Sequence, residues 1–309
     1  MARFRVAIIG VGKIAVDQHI PVIGKSDDFE LVGVVSQRGV EAPGVPTYPD
    51  AAALYRALDV DAVAICTPPH VRHGLARQAL AAGKPVLLEK PPTATLAEMH
   101  DLTAAARAAG RVIFATWHSR FNAAVDAAKA RLKGQTLTRL AIEWKEDVRR
   151  WHPGQDWIWD AGNFGVFDPG INALSILTEI SPSPIFVKSA TLFYPENRDT
   201  PIAASLVFHS TSDGAFSAEF DWRREGEQSW NIEIETAKGD KLSLTHGGSR
   251  LFINGAAAID APRRDYEGVY ARFADLLRNG ESEMDASPFQ LVGDAFLVGA
   301  RRTVARFDW

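Results

Sequence analysis

One short stretch near the start of the chain, Phe4–Ala15 (FRVAIIGVGKIA), constrains the fold more than anything else in the 309 residues. Val6–Ile9 is a continuous apolar run, the pattern of a strand buried on both faces of a parallel sheet. It stops at Gly10-Val11-Gly12-Lys13-Ile14-Ala15, which matches the dinucleotide-binding turn with alanine in the third small position. Each small residue has a physical task. Gly10 permits a tight turn, Gly12 has no Cβ to block a pyrophosphate, and Ala15 lets the next helix sit close to the strand. The phosphates would lie on that helix's first N–H groups, beside Lys13 and Ile14, where the macrodipole favours anions.

The rest of the first third repeats the alternation this turn begins. Phe29–Val35, Ala62–Cys66, Pro85–Leu88 and Val112–Thr116 read as further strands. Helices are expected from Ala15 to about Gly24, with Pro21 interrupting or ending it, and over Asp50–Leu58, Val71–Ala82 and Leu96–Ala109. Alternating strands and helices predict a doubly wound Rossmann-type α/β domain over residues 1–120. From Leu137 the pattern turns to strands, several with alternating polar and apolar residues: Leu140–Trp144, Ile185–Leu192, Ala203–His209, Gly214–Asp221, Trp230–Thr236, Lys241–Thr245 and Arg250–Ile253. Asn122–Leu132 reads as an earlier helix, and Tyr266–Arg278 and Pro288–Arg302 as closing ones. Residues 121–309 are therefore expected to form an α+β domain with an open, mostly antiparallel sheet. Its last helices could pack back on the first domain, and its outer sheet face could pair in a homodimer or homotetramer.

Composition narrows the function classes. A net charge of −4 gives no electrostatic reason to expect nucleic acid or an anionic membrane as partner. No apolar run is long enough to span a bilayer, and strand-forming residues from Phe4 leave no room for a signal peptide. A soluble, cytoplasmic chain is expected. Cys66 is the only cysteine, which excludes an intrachain disulfide and a cysteine-based metal cluster, and no metal is expected.

The cofactor can be argued one step further. An NAD-binding unit usually ends its second strand with an acidic residue for the ribose hydroxyls. Here that end is Ser36-Gln37-Arg38, without a carboxylate to repel a 2′-phosphate and with a guanidinium able to pair with one. NADP is the expected cofactor, with NAD as one the site could accept. Thr67-Pro68-Pro69-His70 and Glu89-Lys90-Pro91-Pro92 follow the third and fourth of these strands, at the sheet edge where doubly wound folds bind ligands. Lys90 could there donate to a substrate hydroxyl or stabilise an oxyanion forming on it. His73, near a helix start, is read as a packing or capping residue more readily than as an acid or base.

These features together resemble the glucose–fructose oxidoreductase/inositol dehydrogenase family. The resemblance is carried by Gly10–Ala15, Thr67-Pro-Pro with His73, Glu89-Lys90-Pro91, Arg120-Phe121-Asn122 and Asp168-Pro-Gly-Ile-Asn172, and covers essentially the whole chain. Within the family the sequence is most similar to bacterial sugar 1-dehydrogenases acting on L-arabinose or D-galactose. The resemblance implies cofactor contacts at Gly10, Gly12, Lys13, Ile14, Ser36, Gln37, Arg38, Thr67, Pro68, His70, His73, Glu89, Lys90, Trp117 and Arg120. It also implies a catalytic set of Lys90, Asp168 and Asn172. In the family the aspartate faces the substrate and the residue four later is usually histidine. Asn172 cannot accept and release a proton at working pH, so Asp168 is the expected base, with Lys90 the alternative holder of the proton because a close pair titrates as a unit.

Tryptophan supplies the substrate reading. None of the eight precedes Trp117, and Trp144, Trp151, Trp157 and Trp159 then follow closely. A pyranose presents a flat C–H face and a rim of hydroxyls, which an indole face and hydrogen-bonding side chains recognise. Glu146, Trp151 and His152 are such residues, with Trp230 and His118 as weaker candidates. The expected activity is oxidation of C1 of a pyranose, L-arabinose or D-galactose, to the lactone. An inositol-type polyol dehydrogenase and a non-catalytic sugar sensor are the alternatives.

Overall fold

In the computed structural model, which describes residues 2–309, the opening apolar run is β1 (Phe4–Ile9), buried from Val6 onward. It lies inside a six-stranded sheet with β2 (Phe29–Val35), β3 (Thr47–Tyr48), β4 (Ala62–Ile65), β5 (Val86–Leu88) and β6 (Ile113–Ala115). The order is β3-β2-β1-β4-β5-β6 and every pairing is parallel. The order reverses between β1 and β4, where the Gly10 turn leaves the sheet. The two-residue β3 was not expected from sequence; Pro46 and Pro49 bracket a stretch too short to show a period.

Helices α1 (Ile20–Gly24), α2 (Ala51–Ala57), α3 (Pro69–Ala81) and α4 (Leu96–Ala109) fill the crossovers. Pro21 does not end the first of them. It stands at the start of α1, where the π-turn over Ala15–His19 passes into the α-helix. α4 carries a capping box between Thr95 and Glu98 and ends at Gly110 with φ +58°.

Two compact units emerge. The first takes the residues up to His118 and also Tyr266–Ala286; the second takes Ser119–Asp265 and Ser287–Trp309. The late segment joins the first unit through α8 (Asp265–Asn279), whose Tyr266, Val269, Tyr270 and Phe273 share one buried face at helical spacing. Tyr270 and Phe273 pack on Phe29, and Phe273 also stacks with Phe114.

The second unit is built on a nine-stranded sheet ordered β14-β13-β12-β11-β7-β10-β9-β8-β15. Its strands are β7 (Leu137–Lys145), β8 (Ile185–Pro195), β9 (Ala203–Ser210), β10 (Ala215–Asp221), β11 (Ser229–Thr236), β12 (Lys241–Thr245), β13 (Arg250–Ile253), β14 (Ala256–Asp260) and β15 (Gly299–Val304). Only β7–β10 and β8–β15 pair in parallel, so the sheet is mostly antiparallel. Along β7, Leu140, Ile142 and Trp144 are buried while Arg139 and Glu143 are exposed, the alternation that fixes which face meets the helices. Those helices include α5 (Ala123–Leu132), α7 (Phe167–Ile180) and α9 (Ser287–Val298). The expected helix Pro288–Arg302 overruns: residues 299–302 belong to β15. A Cβ at Gly299 would meet the Ala295 carbonyl oxygen at 2.3 Å, so glycine is needed where the chain leaves α9 directly for a strand. β14, alanine-rich and exposed, had no sequence period to reveal it. No helix among the described residues is long and apolar enough to cross a membrane.

Candidate active site

The turns after β1, β2, β4 and β5 share one edge of the first sheet. Gly10 has φ +96°, and a Cβ there would lie 2.7 Å from Thr67 Cγ2, so glycine is required by the close approach of two turns. Gly12 differs: its φ is ordinary and a Cβ would meet no atom within 4 Å. Nothing in the protein needs that room, whereas a pyrophosphate on the first N–H groups of the next helix would. The Thr67 hydroxyl on the same edge is buried without a hydrogen-bond partner. An open cradle and an orphaned hydroxyl fit a bound dinucleotide.

The Ser36 hydroxyl accepts the Val40 N–H (2.9 Å) and so shapes the loop after β2. Gln37 and Arg38 stand exposed on it, and Arg38 has no hydrogen bond or ion pair among the described residues. Lys13 pairs with Asp17 one turn along, and Ile14 caps the π-turn. Pro68 caps α3, and His70 is exposed in its first turn. His73 instead bonds Asp101 (2.7 Å), which Arg77 also holds. These two hydrogen bonds draw the Asp101 carboxyl below its usual range, and they tie α3 to α4.

Lys90 follows β5 in a turn held from two sides. Buried Arg72 donates through Nε to the Thr67 carbonyl (2.6 Å) and through Nη1 to the carbonyls of Glu89 and Pro91, so it joins the turns after β4 and β5. The Lys90–Pro91 peptide is cis. The Glu89 carboxylate accepts the Lys90 N–H (2.9 Å), the Tyr266 hydroxyl (2.6 Å) and His19 Nε2 (2.9 Å). Burial alone would raise the Glu89 pKa, but the hydrogen bond and charge of His19, then His118 and Tyr266, bring it to about 2. His19 is fully buried on the π-turn and bonds Tyr270 through Nδ1 (2.8 Å). Burial would lower its pKa, yet Cys66, Tyr270 and Glu89 together hold it well above the ordinary value. Glu89, expected to face the cofactor, is thus engaged inside the fold. Trp117 is also buried, its indole donating to the Asp285 carbonyl (2.9 Å), and His118 stacks on Tyr266 at 5.2 Å.

In the second unit the sugar-reading candidates gather beside the end of β7. Glu146 is buried; its two carboxylate oxygens accept the indole N–H groups of Trp230 (2.9 Å) and Trp222 (3.4 Å). One helical turn, α6 (Val148–Trp151), capped by the Asp147 side chain, presents Trp151 and His152. Trp151 packs edge-to-face on Trp230 at 5.7 Å and donates to Gln228 (2.6 Å). His152 lies 5.3 Å from the Trp222 ring, with Nε2 3.4 Å from Asp168 Oδ2.

Asp168 stands in the first turn of α7 but does not cap it. Val166 is the cap, because Gly165, at φ +54° against the Pro201 carbonyl, starts the helix two residues earlier than an Asp-Pro cap would. Asn172, one turn later and half-buried, shares that face. Arg120, expected at the cofactor, instead binds α7: it donates to the Ser175 carbonyl (3.0 Å) and Thr178 hydroxyl (2.9 Å) and pairs with Glu179. Of the clustered tryptophans, Trp159 is core, packed on Trp222, Phe307 and Trp309.

Trp222 and Arg72 were missed from sequence. Trp222 could have been found, since it extends the inward alternation Phe216, Ala218, Phe220. The carbonyl-clamping role of Arg72 leaves no local signal. Among the described residues no group of three or more His, Cys, Asp or Glu side chains could hold a metal ion.

A model for an oxidoreductase family with an NAD-binding Rossmann fold matches residues 4–116. Galactose 1-dehydrogenase of Pseudomonas fluorescens is 43% identical, over 99% of both chains. The crystal structure of D-galactose-1-dehydrogenase from Rhizobium etli superposes with a TM-score of 0.95 at 48% identity, covering 100% of this chain and 99% of the other. A 3-ketoreductase from Actinomadura kijaniata, in complex with NADP and TDP-benzene, shares the fold at a TM-score of 0.81 and 18% identity, over 98% of this chain and 100% of its own.

Proposed function

The chain belongs to the glucose–fructose oxidoreductase/inositol dehydrogenase (Gfo/Idh/MocA) family of oxidoreductases, and we propose that it is an NADP-preferring aldose 1-dehydrogenase acting on D-galactose and L-arabinose. The observation that carries the substrate reading is the gathering of Glu146, Trp151, His152, Trp230 and Asp168 within one unit. An edge-to-face indole pair offers a face to the sugar ring, while carboxylates and an imidazole read its hydroxyls. The galactose 1-dehydrogenase relatives, similar over the whole chain, support the same substrate class.

A nicotinamide cofactor held at the Gly10–Gly12 turn would supply the hydride acceptor for C1 of the sugar. The residues of the chain hold and move the proton. Asp168 takes the proton of the anomeric hydroxyl as C1 becomes the lactone carbonyl. His152, 3.4 Å from its carboxylate, fixes that carboxylate's orientation. The Lys90 ammonium is suited to stabilise the charge that develops as the proton leaves, and Asn172 to orient a hydroxyl by an amide hydrogen bond. Glu146 and Trp151 bind the remaining ring, and the His118 imidazole contributes a further contact. Exposed Arg38 supports the NADP preference, because a guanidinium pairs with a 2′-phosphate in bidentate fashion. Phe186 and Val207, both nearly half exposed on the outer sheet face, support pairing with a second copy in a homodimer or homotetramer, which sedimentation tests.

The deciding assay is NADPH absorbance with D-galactose, L-arabinose, D-glucose, D-xylose and myo-inositol, repeated with NAD. Turnover of the first two, better with NADP, is expected. Turnover of inositol alone would overturn the substrate, and NADP binding without turnover of any sugar would make the chain a sensor.

A further inference from the structure

We propose that the buried pair His19–Glu89 is a positioning device for Lys90, and that neither residue of the pair touches substrate or cofactor. The inference rests on the reading above that Lys90 acts on the reacting oxygen.

Three hydrogen bonds converge on the pair and a fourth joins its two members. Tyr266 and Lys90 N–H donate to the Glu89 carboxylate, His19 donates to it through Nε2, and His19 Nδ1 meets the Tyr270 hydroxyl. All the side chains involved in holding it are buried: His19 at 0% exposure and Glu89, Tyr266 and Tyr270 at 2%. A buried ion pair stabilises a fold weakly, because desolvation offsets most of its attraction. Its geometric effect is stronger. The Lys90 N–H is fixed by Glu89 from one side, while Arg72 fixes the carbonyls of Glu89 and Pro91 from the other. The peptide unit that launches the Lys90 side chain is therefore held at both of its polar ends. His19 sits on the π-turn that follows the Gly10–Gly12 turn, so the pair also sets the Lys90 turn against the start of the nucleotide helix. A flexible four-carbon ammonium gains most from such a fixed base, since displacing a reacting group by about 1 Å can cost about a hundredfold in rate.

The test compares Glu89→Gln, His19→Gln and Tyr266→Phe with wild type, and Lys90→Met as the reference for loss of the ammonium. For each, kcat per folded molecule, sugar KM, the NADPH dissociation constant by calorimetry, and the folded fraction by circular dichroism are measured. Glu89→Gln and His19→Gln are expected to lower kcat at least tenfold with sugar KM and NADPH affinity within about twofold. Tyr266→Phe, which keeps the ion pair and removes one donor, is expected to lower kcat about threefold, and it decides the matter if the other two do not fold. A kcat per folded molecule within 1.5-fold of wild type in every folded variant overturns the proposal, as does a loss carried only by NADPH affinity, which would make Glu89 a cofactor residue. Wild-type turnover by Lys90→Met would instead sink the reading of Lys90 on which the proposal rests.

Discussion

Gly10 and Gly12 stand two residues apart in one turn, and the structure separates what each is for. At Gly10, φ +96° and a Cβ 2.7 Å from Thr67 Cγ2 and 3.0 Å from the Thr67 backbone nitrogen make alanine costly to the fold itself. The left-handed backbone alone costs about 1–2 kcal/mol, and pushing the Thr67 turn aside adds to it. Gly12→Ala meets no protein atom within 4 Å at an ordinary φ, so its folded state is unstrained. Reduced freedom of the unfolded chain should then stabilise this variant by about 0.4–1 kcal/mol. The added methyl group fills the space assigned to the pyrophosphate. Losing one or two charge-assisted N–H contacts at about 1.5–3 kcal/mol each weakens NADPH binding by about ten- to a hundredfold or more. Calorimetric titration with NADPH and thermal melts of both variants give the answer. Gly10→Ala should melt several degrees below wild type, and Gly12→Ala at or above it with the affinity loss. A Gly12→Ala protein that binds NADPH as tightly as wild type would refute the assignment of that space to the phosphates.

Other substitutions probe the remaining parts of the site. Arg38→Ala should raise KM for NADP at least tenfold and leave KM for NAD nearly unchanged; equal effects on both would remove Arg38 from the 2′-phosphate. Asp168→Ala should lower kcat by a hundredfold or more with NADPH affinity intact, and a rise in sugar KM alone would make it a binder rather than the base. Glu146→Gln keeps the shape but removes the charge that two indole N–H groups share, so sugar KM should rise about tenfold with kcat less affected. The Glu89 carboxyl, lowered from 4.5 to about 2, contributes stability that is present above pH 4.5 and lost as pH falls toward 2. His19, raised above 6.5, contributes fully below that value and loses its share only as pH rises through the folded-state pKa. The melting temperature of wild type should therefore fall more steeply than that of Glu89→Gln between pH 5 and 2.5, and parallel curves would contradict the charged pair.

The first unit was legible in sequence because its signals are local. β2 and α4 match their expected bounds residue for residue, since an apolar run and a capped helix each carry their own ends. Two kinds of feature were hidden. β3, β14 and β15 are short or polar strands whose existence depends on a neighbouring strand rather than on their own period. The engagement of Glu89 depends on Tyr266, 177 residues later, and no spacing rule reaches that far. The gathering of Glu146, Trp151 and His152 was readable because aromatic and charged residues crowd one stretch of sequence. The hydrogen bonds of Arg120 and Trp117 were hidden for the opposite reason: a motif gives residue identity, whereas their partners at Ser175 and Asp285 lie on other elements.

The uneven distribution of tryptophan has a spectroscopic consequence. Trp117 is the sole indole of the first unit, and the other seven lie in the second. In a Trp117→Phe variant all tryptophan emission would come from the second unit, while far-ultraviolet dichroism would still read the helices of both. Heating that one variant and watching both signals would show whether the two units melt as a single cooperative body or in succession.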